Sequence, residues 1–303
     1  MSTMKIDIKH IQEFENGLNP QYPEKSKIPA QIVGYGEISS IFKIQPYHGW
    51  VFKRLPLFTS HQEAEIYIKK YNTYVNYLKK AGISLPKDDA FIVKGKKVVL
   101  YLAQEALNKG DLCQNKLQKL PPKKALKMIE NIFKEIKKIA EFNNTNAEIS
   151  LSIDGQISNW AEVDNNLIYF DTSTPLFKIK SVEQLNPELL LNSTPKALRW
   201  LIRKFFLQEV MDRYYNLRLI YVDLIANLHK EKKTELISDS INLANNLLPK
   251  NAVQITAKEI TKYYQDDKFI WQLFLALRRL DRWLTNRVFR KQYEYILPGK
   301  IER

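Results

Sequence analysis

Three oxygen-bearing side chains stand close together in the middle of the chain, each beside apolar residues. Asp154 and Asn159 are five positions apart, and Asp171 follows twelve positions after Asn159. Polar groups this close to a hydrophobic core need partners, because leaving them unpaired in an apolar environment costs free energy. Carboxylate and amide oxygens suit Mg²⁺. The pattern therefore predicts a site for a metal ion or a phosphate group at the ends of two short apolar runs.

A second set of residues lies in the N-terminal third of the chain. Gly34 and Gly36 are predicted at a turn between two strand-like runs, in a segment that ends at Ser39, and Lys53 lies in the next run. A glycine turn lets backbone N–H groups approach an anion closely, and a lysine adds a positive point charge. Each feature taken singly is more often a plain turn or a solvated strand end. Only their order together indicates phosphate binding.

The elements that carry these residues follow from hydrophobic periodicity. Strand-like runs fill the N-terminal third, interrupted by a helix predicted from about Ser60 to Ala81. Beyond this part the residue pattern is mostly helical. One helix is predicted to begin at Pro121-Pro122, and long helices are predicted beyond Pro195. We therefore predict an α+β fold in which residues 1–104 form a small antiparallel sheet with one helix and residues 105–303 form a larger, mainly helical part.

Charge and composition limit the function classes. The chain has 47 Lys and Arg against 33 Asp and Glu, a net charge of +14, which favours anionic partners such as nucleotides, nucleic acid or acidic lipid surfaces. The basic residues are scattered, and the sequence carries no zinc-finger, RNA-recognition or phosphate-loop signature, so we expect no specific nucleic-acid partner. Cys113 is the only cysteine, which excludes an intramolecular disulfide, and the four histidines are too scattered to predict a metal centre.

The chain start and the apolar runs bear on localisation. The first residues lack the apolar core of a signal peptide, and the longest apolar runs are too short to cross a bilayer. A chain that is 45% hydrophobic and 26% charged is typical of a soluble globular protein. We therefore expect no transmembrane segment and a cytoplasmic location, with secretion without a cleavable signal left open.

Taken in order, these features resemble the protein-kinase-like fold, and within it the aminoglycoside phosphotransferase and choline kinase group. The segment from Gly34 to Ser39 is similar to the glycine-rich loop G-x-G-x-x-G with Ser in the third place, and Lys53 stands at the position of the strand-three lysine. Asp154 and Asn159 match the spacing of the catalytic loop D-x-x-x-x-N. Asp171 stands where the Asp of D-F-G does.

The resemblance extends over about residues 28–178 and implies a bilobal fold, with an N-lobe over residues 1–104 and a C-lobe over residues 105–303. It implies ATP- and Mg²⁺-dependent transfer of the γ-phosphate to a hydroxyl of a small-molecule acceptor, with a protein acceptor left open. The implied site comprises Gly34, Gly36, Ser39, Lys53, Glu65, Gln104 and Ala106 around the nucleotide, Asn159 and Asp171 as Mg²⁺ ligands, and Asp154 as the acceptor of the hydroxyl proton.

The partner of Lys53 is ambiguous. A carboxylate on the following helix usually pairs with this lysine, and we predict Glu65, with Glu63 as the alternative. Counted back from the end of that helix, however, the expected position falls near Tyr71 and Asn72. A missing carboxylate there would put ordinary kinase activity in doubt.

Two further positions depart from the family pattern, and they leave other functions open. Ser152 stands where these families usually carry His, and Thr172 follows Asp171 in place of Phe or Leu. A nucleotide-binding scaffold without activity, an atypical protein kinase, and a basic protein that binds nucleic acid or membrane surfaces are the alternatives. Polar and aromatic residues of the helical half either line an acceptor pocket or pack as core: Tyr214, Tyr215, Asp223, Tyr263, Tyr264, Asp266, Asp267, Trp271 and Trp283.

Overall fold

The structure is a computed structural model that describes residues 6–20, 22–28, 30–35, 39–94, 97–186, 189, 199 and 213–297. Within these ranges the fold is α+β, as predicted, with a small antiparallel sheet followed by a part that is mainly helical. No helix within the same ranges combines the length and the apolar character needed to cross a bilayer.

A five-stranded antiparallel sheet forms the N-terminal part. Its strands are β1 (Ala30–Tyr35), β2 (Ser40–Ile44), β3 (Trp50–Phe58), β4 (Asp88–Lys94) and β5 (Val98–Glu105). They lie in the order β1-β2-β3-β5-β4, so β3 is central. Neighbouring residues of a strand face opposite sides of the sheet. Lys53 and Arg54 of β3 therefore lie on opposite faces, and both are buried.

Two helices cover the two faces of this sheet. α1 (Ile8–Gly17) packs with Phe52 and Tyr101 on one face, and α2 (His61–Lys80) packs with Leu55 and Leu102 on the other. The helix expected from Ser60 to Ala81 is therefore observed as α2. The sequence predicts only one helix in this part, and α1 is a second. It was missed because its apolar stripe spans only ten residues, which is short for a helix prediction.

The rest of the described chain is mainly helical. Its helices are α3 (Cys113–Lys119), α4 (Pro122–Thr145), α5 (Leu217–Lys230), α6 (Ile237–Leu247) and α7 (Ala257–Trp283). Short strands lie between α4 and α5: β6 (Ile149–Leu151), β7 (Trp160–Val163), β8 (Asn166–Tyr169), β9 (Phe177–Ile179) and β10 (Val182–Glu183). β7 and β8 form a hairpin, and β6, β9 and β10 form a three-stranded sheet.

One hydrophobic core connects α2, the short strands and the C-terminal helices. It contains Leu102 of the sheet, Phe133 of α4, Tyr169 of β8 and Tyr221 of α5. The rings of Phe133 and Tyr221 lie 4.6 Å apart between centroids. Burying one such side chain is worth about 1.5–3 kcal/mol. Packing therefore anchors the short strands that flank the predicted site residues.

The sheet face opposite Lys53 carries a buried arginine. Arg54 is 2% exposed, and its guanidinium binds both carboxylate oxygens of Glu15 in α1, at 2.8 and 2.6 Å. Arg54 also donates to the backbone carbonyl of Glu294 at 2.7 Å. This bond brings the C-terminal segment onto the sheet beside buried Ile296. The buried positive charge is thus paired, as its desolvation requires.

Candidate functional site

A hairpin explains the twelve-residue spacing between Asn159 and Asp171. Asn159 ends a 3₁₀ turn (Ile157–Asn159). β7 then leads away from this turn, and the antiparallel β8 leads back to it. The turn between them, residues 164–165, consists of Asp and Asn with φ of 49° and 62°, a left-handed conformation that these two types tolerate. On its return the chain meets its starting point, because the N–H of Phe170 donates to the carbonyl of Asn159 at 3.1 Å. Asp171 follows directly after that contact.

Lys53 reaches from the sheet to this loop. Its Nζ lies 3.0 Å from Oδ1 of Asp171 and donates to the carbonyl of Phe170 at 3.1 Å. The side chain of Lys53 is 6% exposed, whereas that of Asp171 is 35% exposed. The ammonium group is therefore enclosed, and one side of the carboxylate is open to solvent or to a ligand.

The surroundings of Asp171 keep its carboxylate ionised. Burial by itself pushes the pKa of Asp171 upward, but the positive charge and hydrogen bond of Lys53 outweigh burial. The hydroxyl of Ser173 adds a hydrogen bond to Oδ1 at 3.0 Å. Together these contacts hold the pKa of Asp171 below its usual value. The carboxylate is thus available as an anionic ligand at neutral pH.

Asp154 and Asn159 are linked through the loop between them. Nδ2 of Asn159 donates to the carbonyl of Asp154 at 3.2 Å, and Oδ1 of Asp154 accepts the N–H of Gln156 at 3.2 Å. The N–H of Asp154 donates to the hydroxyl of Tyr169 at 3.3 Å. A contact chain therefore runs from Lys53 through Asp171 and the hairpin ends to Asn159 and Asp154.

Asp171 and Asn159 offer oxygen atoms of the kind that Mg²⁺ binds. Both side-chain bonds to Asp171 end on Oδ1, so no described residue donates to Oδ2. Nδ2 of Asn159 donates to the carbonyl of Asp154, so the amide oxygen of Asn159 takes no part in that hydrogen bond. Mg²⁺ usually takes one or two carboxylates and completes its shell with water and substrate oxygens. Within the described ranges, no three His, Cys, Asp or Glu side chains cluster as a metal site on their own.

The predicted pair between Glu65 and Lys53 is wrong. Glu65 is exposed and lies 3.1 Å from Nε2 of His61, one helical turn earlier. Glu63, the alternative, accepts the N–H of Thr59 at 2.8 Å, and so it closes the first turn of α2. The physical reason is the rotation of α2 about its axis, because its buried face carries aromatic residues and the two carboxylates lie off that face.

Tyrosines occupy the face of α2 where a carboxylate was expected. The hydroxyl of Tyr67 donates to the carbonyl of Ser173 at 2.7 Å, and that of Tyr74 donates to the carbonyl of Ser152 at 2.8 Å. The sequence signal for these residues is their spacing, at positions i, i+4 and i+7 with Tyr71 between them. Their hydroxyls, which sequence reasoning did not consider, are the contacts that α2 makes with the site loops.

The glycine-rich segment is described only in part. Gly34 lies inside β1 opposite Ile41, next to a register shift after Ile32, so it is in a strand and not in the turn where it was predicted. A Cβ at Gly34 would lie 3.2 Å from Cδ1 of Ile41, so the end of that side chain would have to move by a few tenths of an ångström. Gly36 lies outside the described residues. Ser39 is buried immediately before β2.

Two further residues expected around the nucleotide, Gln104 and Ala106, lie at the end of β5 and just after it. Gln104 is buried in β5 and paired in register with Val51 and Asp88. The N–H of Ala106 donates to the carbonyl of Gly49 at 2.9 Å. Ala106 can therefore donate to a nucleotide base only if that bond is exchanged.

Some of the predicted acceptor residues line one small pocket between α5 and α7. Asp223, Tyr263, Tyr264 and Asp267 lie on its wall. Burial, and then the negative charge of Asp267, raise the pKa of Asp223 to about 7. The other candidates lie elsewhere or are exposed. The hydroxyl of Tyr215, for example, donates to the carboxylate of Glu183, and Trp283 is 55% exposed.

Comparison with known proteins gives a family without an assigned activity. The sequence model of a family described as a family of unknown function (DUF6206) matches residues 24–282. No curated protein matches the chain. The match covers the sheet, α2, the hairpin and most of the described helices.

Proposed function

The chain belongs to the DUF6206 family, whose function is unknown, and we propose from its own residues that it is an ATP- and Mg²⁺-dependent phosphotransferase. The acceptor is a hydroxyl of a small molecule. The observation that carries this proposal is the 3.0 Å ion pair between Lys53 and Asp171, which lie 118 positions apart. A lysine on a central strand and an aspartate after a hairpin are the two charges that this chemistry requires at one point.

The fold supports the proposal at the level of its elements. We assign residues 1–104 as the N-lobe, with β1 and β2 over the phosphates, and residues 105–303 as the C-lobe of a protein-kinase-like fold. Lys53 lies on β3 of the sheet, and Asp171 lies in the loop after β8. ATP would therefore bind between the sheet and this loop.

Each residue has a defined role in the proposed reaction. Lys53 neutralises charge on the phosphates, and Asn159 and Asp171 supply oxygens that hold a Mg²⁺ ion. The metal ion, when bound, neutralises charge that develops on the transferred group. Asp154 accepts the proton of the attacking hydroxyl. The hydrogen bond from Asn159 to the carbonyl of Asp154 keeps the proton acceptor and the metal ligand in one loop.

A nucleotide-binding scaffold is the second candidate. It is favoured by the departures at Ser152 and Thr172 and by the absence, among the described residues, of a carboxylate from α2 at Lys53. Enzyme and scaffold share nucleotide binding and differ in turnover. A protein acceptor is compatible with the same site, because only the hydroxyl is specified.

The effect of Asp154→Asn on ATP turnover separates the two functions. We expect slow Mg²⁺-dependent ATP hydrolysis by the natural protein, with water as acceptor, and a loss of about 100-fold or more in Asp154→Asn. ATP affinity should stay within about twofold, because the proton acceptor contacts the hydroxyl and not ATP. Asp239→Asn, on an exposed turn of α6, is the matched control. Nucleotide binding without turnover, or turnover that is unchanged in Asp154→Asn, would favour the scaffold.

A further inference from the structure

Three tyrosines connect one face of α2 to both loops of the proposed site. Tyr67 donates to the carbonyl of Ser173, two residues after Asp171, and Tyr74 donates to the carbonyl of Ser152, two residues before Asp154. All three tyrosines of the set, Tyr67, Tyr71 and Tyr74, are at most 4% exposed. We call this set the tyrosine ladder. A single helix thus fixes the positions of two loops that are separate in sequence.

Tyr71 contacts the residue that follows the proposed metal ligand in sequence. Its hydroxyl lies 2.6 Å from Oδ2 of Asp88 in β4 and 3.3 Å from Oγ1 of Thr172. Because the Tyr71 hydroxyl donates its hydrogen to Asp88, Thr172 donates to the oxygen of Tyr71. Thr172 is next to Asp171, so this chain of bonds ties the loop of the metal ligand to the sheet.

The ladder stays protonated over the working range of pH. Burial, and then the nearby carboxylate of Asp88, raise the pKa of Tyr71 far above its ordinary value. Burial, followed by the charge of Asp171, does the same to the pKa of Tyr67 and Tyr74. Neutral hydroxyls can donate to backbone carbonyls without bringing a second charge next to Lys53 and Asp171.

The structure assigns Tyr71, with Tyr67 and Tyr74, as positioning residues that hold the loops of Asp171 and Asp154 against α2 in place of a helix carboxylate. This inference rests on the proposed function. It accounts together for the tyrosines that replace a carboxylate on α2 and for the threonine after Asp171. Thr172 supplies the hydroxyl that Tyr71 binds. It also implies that no carboxylate of α2 is needed to hold Lys53 in place, since Lys53 is paired directly with Asp171.

The first test measures loop order without reference to activity. Tyr71→Phe removes the hydroxyl and keeps the ring, and it should speed amide hydrogen exchange in peptides that cover residues 170–174. Tyr77→Phe is the matched control on the same helix, because the Tyr77 ring packs on Phe142 and Phe177 and makes no hydrogen bond within the described residues. Equal exchange in the two variants would overturn the assignment, whatever the protein's activity.

The second test measures the Mg²⁺ concentration that gives half-maximal nucleotide binding. Contacts that orient a metal ligand typically contribute about 10- to 100-fold to metal affinity. We expect a rise of about tenfold or more in Tyr71→Phe and in Thr172→Val, no further rise in the double variant, and recovery in Thr172→Ser. Glu65→Gln should change nothing. Additive effects, or a loss in Glu65→Gln, would contradict the assignment.

The two tests also separate the inference from the function on which it rests. If the natural protein binds no nucleotide with Mg²⁺, the proposed function fails. Faster exchange in Tyr71→Phe would then still show the ladder as a clamp on the loop. If nucleotide binds normally and Tyr71→Phe behaves as Tyr77→Phe does in both tests, the function stands and the ladder fails.

Discussion

At the scale of single residues, the ion pair between Lys53 and Asp171 is asymmetric. The lysine side chain is 6% exposed, whereas that of Asp171 is 35% exposed and also accepts a hydrogen bond from Ser173. Removing either partner leaves the other charge alone, but the cost of a lone charge depends on its access to water. Losing its partner should therefore cost more free energy for the buried Lys53 than for the more exposed Asp171.

Asp171→Asn should destabilise the protein more than Lys53→Met does. The first variant leaves a buried ammonium group with neutral acceptors and no counter-charge, and the second leaves a carboxylate that water can reach. We expect a loss of about 1–3 kcal/mol in the free energy of unfolding for Asp171→Asn and a smaller loss for Lys53→Met. Urea unfolding measures both losses, and Lys43→Met, at an exposed position of β2, is the control. The reverse order would contradict the burial of Lys53.

The sequence predicts some of these residues and not others, for physical reasons. The spacing of Asn159 and Asp171 is readable because a hairpin of fixed length must return to its start. The partner of Lys53 was not readable, because the rotation of a helix about its axis is decided by packing across the fold. Glu65 lies off the buried face of α2, and the tyrosine hydroxyls find loop carbonyls more than 70 positions away.

At the scale of elements, the loop of Asp154 depends on a close approach of two helices. Gly155 follows Asp154, and a Cβ there would lie 2.6 Å from Cγ2 of Ile220 in α5 and 2.9 Å from Cδ1 of Ile136 in α4. No real Cβ tolerates such distances, so this position requires glycine. α4 and α5 thereby set how deep the loop sits.

Gly155→Ala should therefore lower stability and displace the loop. Overpacking a buried position costs about 1–3 kcal/mol, which we expect as a loss in the free energy of unfolding. Gly110→Ala is the control, because a Cβ at Gly110 meets nothing within 4 Å. Denaturant unfolding of both variants is the measurement. Equal stability of the two would show that the loop does not pack against α4 and α5 as described.

The contact between α5 and α7 makes stability depend on pH. Asp223 faces Asp267, Tyr263, Lys230 and Arg213, and burial followed by the charge of Asp267 raises its pKa from 3.8 to about 7. In this range the folded protein holds a proton that the unfolded chain releases. Stability therefore falls as pH rises from about 4 to about 7 and then levels off.

Asp223→Asn should remove this part of the pH dependence. The variant has no proton to lose, so its stability relative to the natural protein should be about 2–3 kcal/mol higher at pH 8 than at pH 5. Urea unfolding at the two pH values measures the difference. Asp266→Asn, on an exposed position of the same helix, should show no such change. A constant difference at both pH values would rule out the raised pKa.

At the scale of the whole molecule, Arg54 joins three distant parts of the chain. Its guanidinium holds Glu15 of α1 and Glu294 of the C-terminal segment on the sheet face behind Lys53. The two carboxylates differ in their contribution. Glu15 binds through two oxygens, and Glu294 binds Arg54 partly through its backbone and also pairs with Lys97.

Glu15→Gln should therefore cost more stability than Glu294→Gln. Removing one partner of a buried ion pair costs about 3–5 kcal/mol when the other is left alone, and Glu294 should reduce this to about 2–3 kcal/mol for Glu15→Gln. Denaturant unfolding compares the two variants with Glu148→Gln, whose pair with Lys180 is mostly exposed and should contribute nothing measurable. A larger loss in Glu294→Gln would reverse this account of the network.

The sequence predicts the class of fold because strand and helix periodicities are local. It does not predict that the C-terminal segment returns to the sheet, because Arg54 and Glu294 are 240 positions apart and nothing in their neighbourhoods marks the contact. α1 was missed for a related reason, since its short apolar stripe is buried only by packing against the sheet. The continuous core between the sheet and the helices is likewise a property of the folded whole.

Mg²⁺-dependent ATP binding tests the central claim most directly. Thermal unfolding of the natural protein should shift upward with ATP and Mg²⁺ together, corresponding to about 2.7 kcal/mol when ATP is at a hundred times its dissociation constant. Lys53→Met should abolish the shift, and Lys43→Met should preserve it. No shift of the natural protein with any nucleoside triphosphate and Mg²⁺, or an equal shift in Lys53→Met, would contradict a nucleotide site at Lys53 and Asp171.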